Sequence, residues 1–286
     1  MGSMYEKLAY RIRRIKQKTM TTGALIFAFN NEHIDYLAMA RWTAANILRH
    51  LDIPTAIVTD KQFDPKEYEQ CIFAKPEGAH TRRFADQDTS VTWYNGNRVD
   101  AYGLTPWDQT LVIDADYVVA SDQLKTLLAM PHTFAAHKTA YDVVNLANFD
   151  ELNNFGNFNM PMWWATVMMF RRDPEVEMLF NAMNMIKQNW QHYRNLYKIS
   201  KSTYRNDFAL SIALGIINGH TLDHTDIPWK LASVTPNHAL KKLATDTYQV
   251  DFLTQDQKPR YITLYNQDFH AMGKRHLGDI IVSDIG

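Results

Sequence analysis

An α/β fold with a mostly parallel central sheet flanked by helices is what this sequence of 286 residues predicts. Three observations lead there. Residues 24–59 read as strand, helix and strand, and two later apolar runs, Leu111–Val119 and Trp163–Phe170, have the length and composition of strands buried on both faces. Sheets covered by helices on both sides need such unbroken runs, whereas a one-sided antiparallel sheet alternates apolar and polar residues.

The first strand is Ala24-Leu25-Ile26-Phe27-Ala28-Phe29, closed by the polar turn Asn30-Asn31-Glu32. From His33 to His50 the apolar positions Ile34, Leu37, Ala38, Ala44, Ala45, Ile47 and Leu48, continued by Leu51, suit a helix. Pro54 stops it, because proline has no N–H to donate and clashes with the preceding turn. Thr55–Thr59 is the second strand and ends at Asp60. Ligands bind beyond the carboxyl ends of parallel strands, which makes Phe29, Asn30, Asp60 and the later Asp114 candidates for contact with a nucleotide.

Residues 80–110 are polar and aromatic. They carry Arg82, Arg83, Trp93, Tyr94 and Arg98 through a helix-like segment into the next strand. A guanidinium forks onto two oxygens, so Arg83 and Arg98 are candidates to hold a diphosphate; an exposed loop is the other reading of Arg82 and Arg83. Ser121, Asp122 and Gln123 can cap a helix over Leu124–Met130. Asn153–Pro161 is loop chemistry, with Phe158, Trp163 and Trp164 as either a platform for a sugar or base or core. Asn206-Asp207 precedes the apolar run Phe208–Ile217. Asp207 is therefore a candidate helix cap, and a carboxylate there can also accept a proton. Tyr248-Gln249-Val250 and Tyr261–Tyr265 look like strands, but the sequence does not say what they pair with.

The most informative residues lie in Leu111-Val112-Ile113-Asp114-Ala115-Asp116-Tyr117-Val118-Val119. Ionised carboxylates are costly to bury without a metal, a cation or access to water. A divalent metal site is one reading of the pair, and a strand meeting a solvated turn is the other.

Composition narrows the class. A net charge of −1, 46% hydrophobic and 21% charged residues describe a globular chain that is not a general polyanion binder. No apolar run approaches the ~20 residues of a membrane span, and the basic Met1–Lys18 is not followed by the apolar segment of a secretory signal. A single cysteine, Cys71, excludes an internal disulfide and fits a reducing cytoplasm. Arg11, Arg13, Arg14, Lys16 and Lys18 share a segment with Leu8, Ile12 and Ile15 at helical spacing, giving a basic N-terminal extension over residues 1–19 ahead of a single domain over 20–286. No Gly-rich G-x-x-x-x-G-K-[ST] loop is present, which disfavours a phosphoryl transferase.

Asp114-Ala115-Asp116 and the residues after it resemble the D-A-D strand of GT-A glycosyltransferases, especially the glycogenin and galactosyltransferase-like group. Three later segments follow in that group's order. Trp164–Phe170 takes the place of its N-S-G-V-M-V-F strand without the Asn-Ser-Gly lead, Arg205–Leu210 is similar to its Asp-Gln helix start, and Phe269-His270-Ala271-Met272-Gly273-Lys274 resembles its H-x-x-G-x-x-K motif. In this chain His276 stands at the motif's lysine position, and Lys274 comes two residues early.

The resemblance implies a GT-A-like domain that moves a sugar from a nucleotide-diphosphate donor, a UDP-sugar, to a hydroxyl. Asp114, Asp116 and His270 would bind Mn²⁺ or Mg²⁺, and Asp207 and Lys274 would serve catalysis. Oxygen ligands with one imidazole suit those ions better than a thiolate site would. A looser resemblance links the Phe29–His33 turn and the Asn-rich loop to glycosyltransferases of tailed bacteriophages, some of which add arabinose or glucose to 5-hydroxymethylcytosine in DNA. On that reading Arg171, Arg172, Lys274, Arg275 and the N-terminal helix meet phosphates, and a base stacks on Phe158, Trp163 or Trp164. A glycan, lipopolysaccharide or small-molecule acceptor, or a non-catalytic nucleotide-sugar-binding module, are the competing readings. The oligomeric state is not legible.

Overall fold

The computed structural model describes residues 20–61, 71–77, 79–83, 90–94, 96–147, 153–200, 203–219 and 226–285. The basic N-terminal extension lies outside the described residues, as do the side chains of Arg82 and Arg83. No helix among the described residues is long and apolar enough to cross a membrane.

In chain order the elements are β1 (Thr22–Phe27), α1 (Tyr36–Leu51), β2 (Thr55–Thr59), β3 (Cys71–Phe73), β4 (Ala79–Arg83), β5 (Ser90–Tyr94), a 3₁₀ turn (Gly96–Asp100) and α2 (Ala101–Leu104). Then follow β6 (Gln109–Asp114), β7 (Tyr117–Val118), α3 (Gln123–Ala129), β8 (Phe134–His137), β9 (Ala140–Asp142), β10 (Asn154–Phe155), β11 (Met160–Pro161) and β12 (Trp164–Arg171). The remainder is α4 (Pro174–Gln188), α5 (Trp190–Leu196), α6 (Asn206–Ile217), β13 (Leu231–Val234), β14 (Ala239–Ala244), β15 (Thr247–Leu253), β16 (Pro259–Tyr265), β17 (Phe269–Ala271) and α7 (Lys274–Ile285).

The central sheet has the order β3-β2-β1-β6-β12-β8. Its strands are parallel except β12, which runs antiparallel to β6 and to β8. This is the mostly parallel α/β architecture that the sequence predicts. The apolar runs occupy the middle: β6 is buried up to Asp114, and β12 up to Arg171. Helix α1 starts where the Asp35 carboxylate accepts from the Ala38 N–H and stops at Asp52, whose left-handed backbone (φ 56°) lets its N–H reach the Leu48 carbonyl.

Two expectations change. The first strand runs from Thr22 to Phe27 rather than to Phe29, and Leu111–Val119 is not one strand. The chain leaves the central sheet at Asp114, turns through Ala115 and Asp116, and re-forms as β7 in a second sheet of order β7-β17-β13-β9. A charged carboxylate in the middle of a buried ladder has nothing to offset its lost hydration, so the strand breaks where the carboxylates begin. The unassigned C-terminal pieces pair with each other in an antiparallel meander, with Val250 opposite Ile262 and Tyr248 opposite Leu264.

His137, the last residue of β8, is fully buried edge-on to Trp229, and neither ring nitrogen has a hydrogen-bond partner among the described residues. Burial pushes its pKa down to about 3. The unfolded chain takes up a proton below about pH 6.5 and the folded chain does not, so stability falls on acidification from about 6.5 toward 3. We predict that His137→Leu flattens this acid limb by up to about 1.4 kcal/mol per pH unit, read from urea midpoints of variant and wild type at pH 7 and pH 5. Parallel limbs in the two proteins would refute it.

Candidate functional site

Register brings the strand ends together. Phe27 of β1 lies opposite Asp114 of β6 and Val58 of β2, so Phe29, Asp60 and Asp114 follow from the same edge of the central sheet. At that edge β6 hands over to β7, and β17 runs antiparallel to β7 with His270 opposite Tyr117. The Ala271 N–H donates to the Asp116 carbonyl at 2.9 Å, which fixes the two strands beside the turn.

The result is a compact cluster. One ligand atom from each of Asp114, Asp116 and His270 lies within 4.8 Å of the others. His270 Nε2 is 3.2 Å from Asp116 Oδ2, and the Lys274 ammonium at the start of α7 also pairs with that oxygen. Asp116 is 6% exposed and His270 9%, so the cluster sits at the boundary between core and surface. Two carboxylates and an imidazole, with no thiolate, form a donor set that suits Mn²⁺ or Mg²⁺.

Arg98, delivered by the 3₁₀ turn, pairs with Asp114 and donates from Nη1 to the Ala165 carbonyl at 2.5 Å. Burial lowers its pKa to about 10, with the charges of Asp207 and Tyr204 acting the other way. The guanidinium thus joins the end of β6 to the start of β12.

Asp207 is not the N-cap of α6. Arg205 takes that position, and Asp207, inside the first turn, reaches across to accept from the Ala165 N–H at 2.9 Å through Oδ1. Its Oδ2 accepts from Arg205 Nε at 3.0 Å and Nη2 at 2.5 Å. Burial alone would raise this carboxyl, but the Arg205 charge, the Ala165 N–H, the Arg205 hydrogen bonds and Arg98 together hold it below the usual carboxylate range. In this geometry it brackets α6 to β12, and taking a proton from an acceptor would require Arg205 to move aside.

Other candidates fall in less reactive places. Asn30 accepts from the Leu37 N–H and donates to Asp35, so it shapes the start of α1, while Phe29 is buried. Asp60 Oδ1 is buried without a hydrogen-bond partner among the described residues. Only the backbone of Arg83 is described, in β4. Trp163 and Trp164 are core, 6% and 2% exposed, because they enter β12 beneath α6; neither ring is available to stack on a base. Phe158, at the tip of the β10–β11 hairpin, is 63% exposed. Arg171 and Arg172 direct their guanidinia to the carbonyls of Met130 and Thr105, both at 2.6 Å, rather than toward a phosphate backbone.

Three residues of this region were not singled out by the sequence reasoning. Arg205 neutralises Asp207, Thr43 donates its hydroxyl to the Ala115 carbonyl at 2.9 Å, and Asp268 accepts from the Ala120 N–H at 2.8 Å and the Ser121 hydroxyl at 2.9 Å. Thr43 did leave a signal. It is a lone hydroxyl among Met39, Ala40, Ala44 and Ile47 on the buried face of α1.

Replacing Asp207 by alanine removes a charged acceptor and leaves the Ala165 N–H and Arg205 without it. We expect a loss of about 2–3 kcal/mol at neutral pH, measured by urea denaturation. With a folded pKa below the unfolded value, the Asp207 contribution is present above about pH 4 and fades as pH falls through the lowered folded pKa. A variant as stable as wild type at pH 7 would contradict the bracket.

No protein-family model matches this chain, and no curated protein sequence matches it. Among solved structures it is similar to the glycosyltransferase GlyE of Streptococcus pneumoniae TIGR4, at 12% identity and a TM-score of 0.41 over 73% of this chain and 45% of that one. The chain thus spans less than half the length of GlyE. It is also similar to the galactosyltransferase LgtC in complex with donor and acceptor sugar analogs, at 12% identity and a TM-score of 0.42 over 68% of this chain and 70% of that one. Mouse xyloside xylosyltransferase 1 is a third, at 12% identity and a TM-score of 0.41 over 70% of this chain and 83% of that one.

Proposed function

We propose that this chain is a metal-dependent glycosyltransferase of GT-A type, moving a sugar from a nucleotide-diphosphate donor, a UDP-sugar, to a hydroxyl acceptor. The observation that carries this reading is the meeting of Asp114, Asp116 and His270 at the carboxyl edge of a mostly parallel sheet, although His270 is 154 residues from Asp116. Such an edge is where open α/β sheets bind nucleotides.

Asp114, Asp116 and His270 would hold Mn²⁺ or Mg²⁺, which when bound offsets charge on the diphosphate. The chain's own cations act in the same direction. As the glycosidic bond stretches, negative charge grows on the leaving diphosphate, so a nearby ammonium or guanidinium stabilises the transition state more than the ground state. Lys274 and Arg98 would be the side chains to do this, and their ion pairs with Asp116 and Asp114 support the reading. Phe29, Asn30 and Asp60 border the edge on the β1 and β2 side, where the nucleoside part of a donor would rest. Arg83 follows from the same stretch of chain that leads into Arg98. Phe158 is the one proposed acceptor contact with an exposed ring.

Incubating the full chain with Mn²⁺ and a panel of UDP-sugars should release UDP, and Asp116→Asn should lower that release at least 100-fold while leaving the melting temperature within a few degrees. Supplying hydroxymethylated DNA, a lipopolysaccharide core, oligosaccharides and small alcohols in parallel, with mass detection of each, identifies the acceptor. Mn²⁺-independent release, or release unaffected in the folded Asp116 variant, would overturn the assignment. Binding of a UDP-sugar without release or transfer would favour the non-catalytic module.

A further inference from the structure

We propose that Thr43 and Asp268 are positioning residues that hold Asp116 and His270 in register for a shared divalent cation, an inference that rests on the metal site proposed above. The turn after Asp114, which bears Asp116, has left the central sheet, so its backbone lacks the ladder that aligns β6. A free turn would let Asp116 drift by more than the few tenths of an ångström that a coordination sphere tolerates. Contacts from two separate elements restrain it.

Thr43 acts from α1. It is fully buried, and a buried hydroxyl without a partner is costly. Its hydroxyl donates to the carbonyl of Ala115, the residue between the two carboxylates. Asp268 acts from the segment entering β17. Its Oδ1 accepts from the Ala120 N–H and the Ser121 hydroxyl, separated from the end of β7 by one residue, and the next three residues after Asp268 are β17 itself.

The short β7–β17 pairing, Val118 with Phe269 and Tyr117 with His270, therefore lies between the two anchors. Side chains alternate between faces along a strand, so a slip of one residue in β17 would turn the His270 imidazole away from Asp116. Two paired residues are too few to exclude that slip by themselves. The Ala271 N–H to Asp116 carbonyl bond reports directly on whether the register is kept.

The test uses the full chain and four variants: Thr43→Val, which deletes the hydroxyl at constant shape, Thr43→Ser, which keeps it, Asp268→Ala, and Asp268→Asn, which keeps an acceptor oxygen. Mn²⁺ affinity is read from the electron paramagnetic resonance signal of free Mn²⁺. Protection of the Ala271 amide is read by hydrogen exchange in metal-free buffer, on samples shown to be folded by circular dichroism. Thr43→Val and Asp268→Ala should weaken Mn²⁺ binding by about 10–100-fold and reduce Ala271 protection, with Thr43→Ser and Asp268→Asn within a few-fold of wild type. Should Asp268→Ala fail to fold, the Thr43 pair decides. Wild-type binding of Mn²⁺ with unchanged affinity and protection in folded Thr43→Val would overturn this proposal alone. A wild-type chain that takes up no Mn²⁺ would overturn the metal reading beneath it.

Discussion

The arrangement of this molecule turns on a constraint at one strand end: two carboxylates follow a fully buried strand, and neither can be left ionised in apolar surroundings without compensation. The chain meets it in two ways. At Asp114 the strand stays in the sheet and a buried arginine comes to the carboxylate. At Asp116 the strand abandons the sheet, and a second sheet forms whose pairing carries His270 and Lys274 to the other carboxylate. Through β17 and Lys274 the C-terminal part of the chain is thus tied to the first half at this pair of acids, while the meander of β14 to β16 is tied to α1 by Asp246, which pairs with Arg49 and His50.

Much of this was legible. The runs Ala24–Phe29, Thr55–Thr59, Leu111–Val119 and Trp163–Phe170 are what buried, mostly parallel strands require, and the strands they contain, β1, β2, β6 and β12, lie side by side in one sheet. Asp114 and Asp116 are conspicuous as acids in an apolar run, whereas His270 stands out only through the resemblance of its segment to the H-x-x-G-x-x-K motif. Strand ends were less legible. Nothing in the local pattern of Val118-Val119 distinguishes a continuing strand from one that restarts in another sheet; the difference lies in the partner, Phe269, far along the chain.

The aromatic residues show a second limit. Trp163 and Trp164 follow an Asn-rich hairpin, and composition cannot separate a stacking platform from a pair of core residues, since both need large flat apolar side chains. What decides is α6, which packs on β12 and fastens its start through Ala165 and Ser211. Positive charge misleads in the same way. Arg171 and Arg172 look like a basic cluster in sequence, but Arg171 closes β12 and Arg172 lies just past it, and each hydrogen-bonds carbonyls of a different segment.

Arg98 links these threads. It touches Asp114 on one side and the Ala165 carbonyl on the other, while Ala165 donates to Asp207 and Asp207 pairs with Arg205. Charges therefore alternate from the candidate metal cluster to the start of α6, each offsetting the desolvation of its neighbour. Removing one member of such a series leaves an uncompensated buried charge, which generally costs more than the intact pair contributes. An activity loss on truncating Arg98 would consequently mix three effects: weaker hold on the proposed diphosphate ligand, a displaced Asp114 and a loosened junction between β6 and β12. Arg98→Lys keeps the charge and loses the fork, so a deficit in donor affinity at unchanged stability would isolate the first effect.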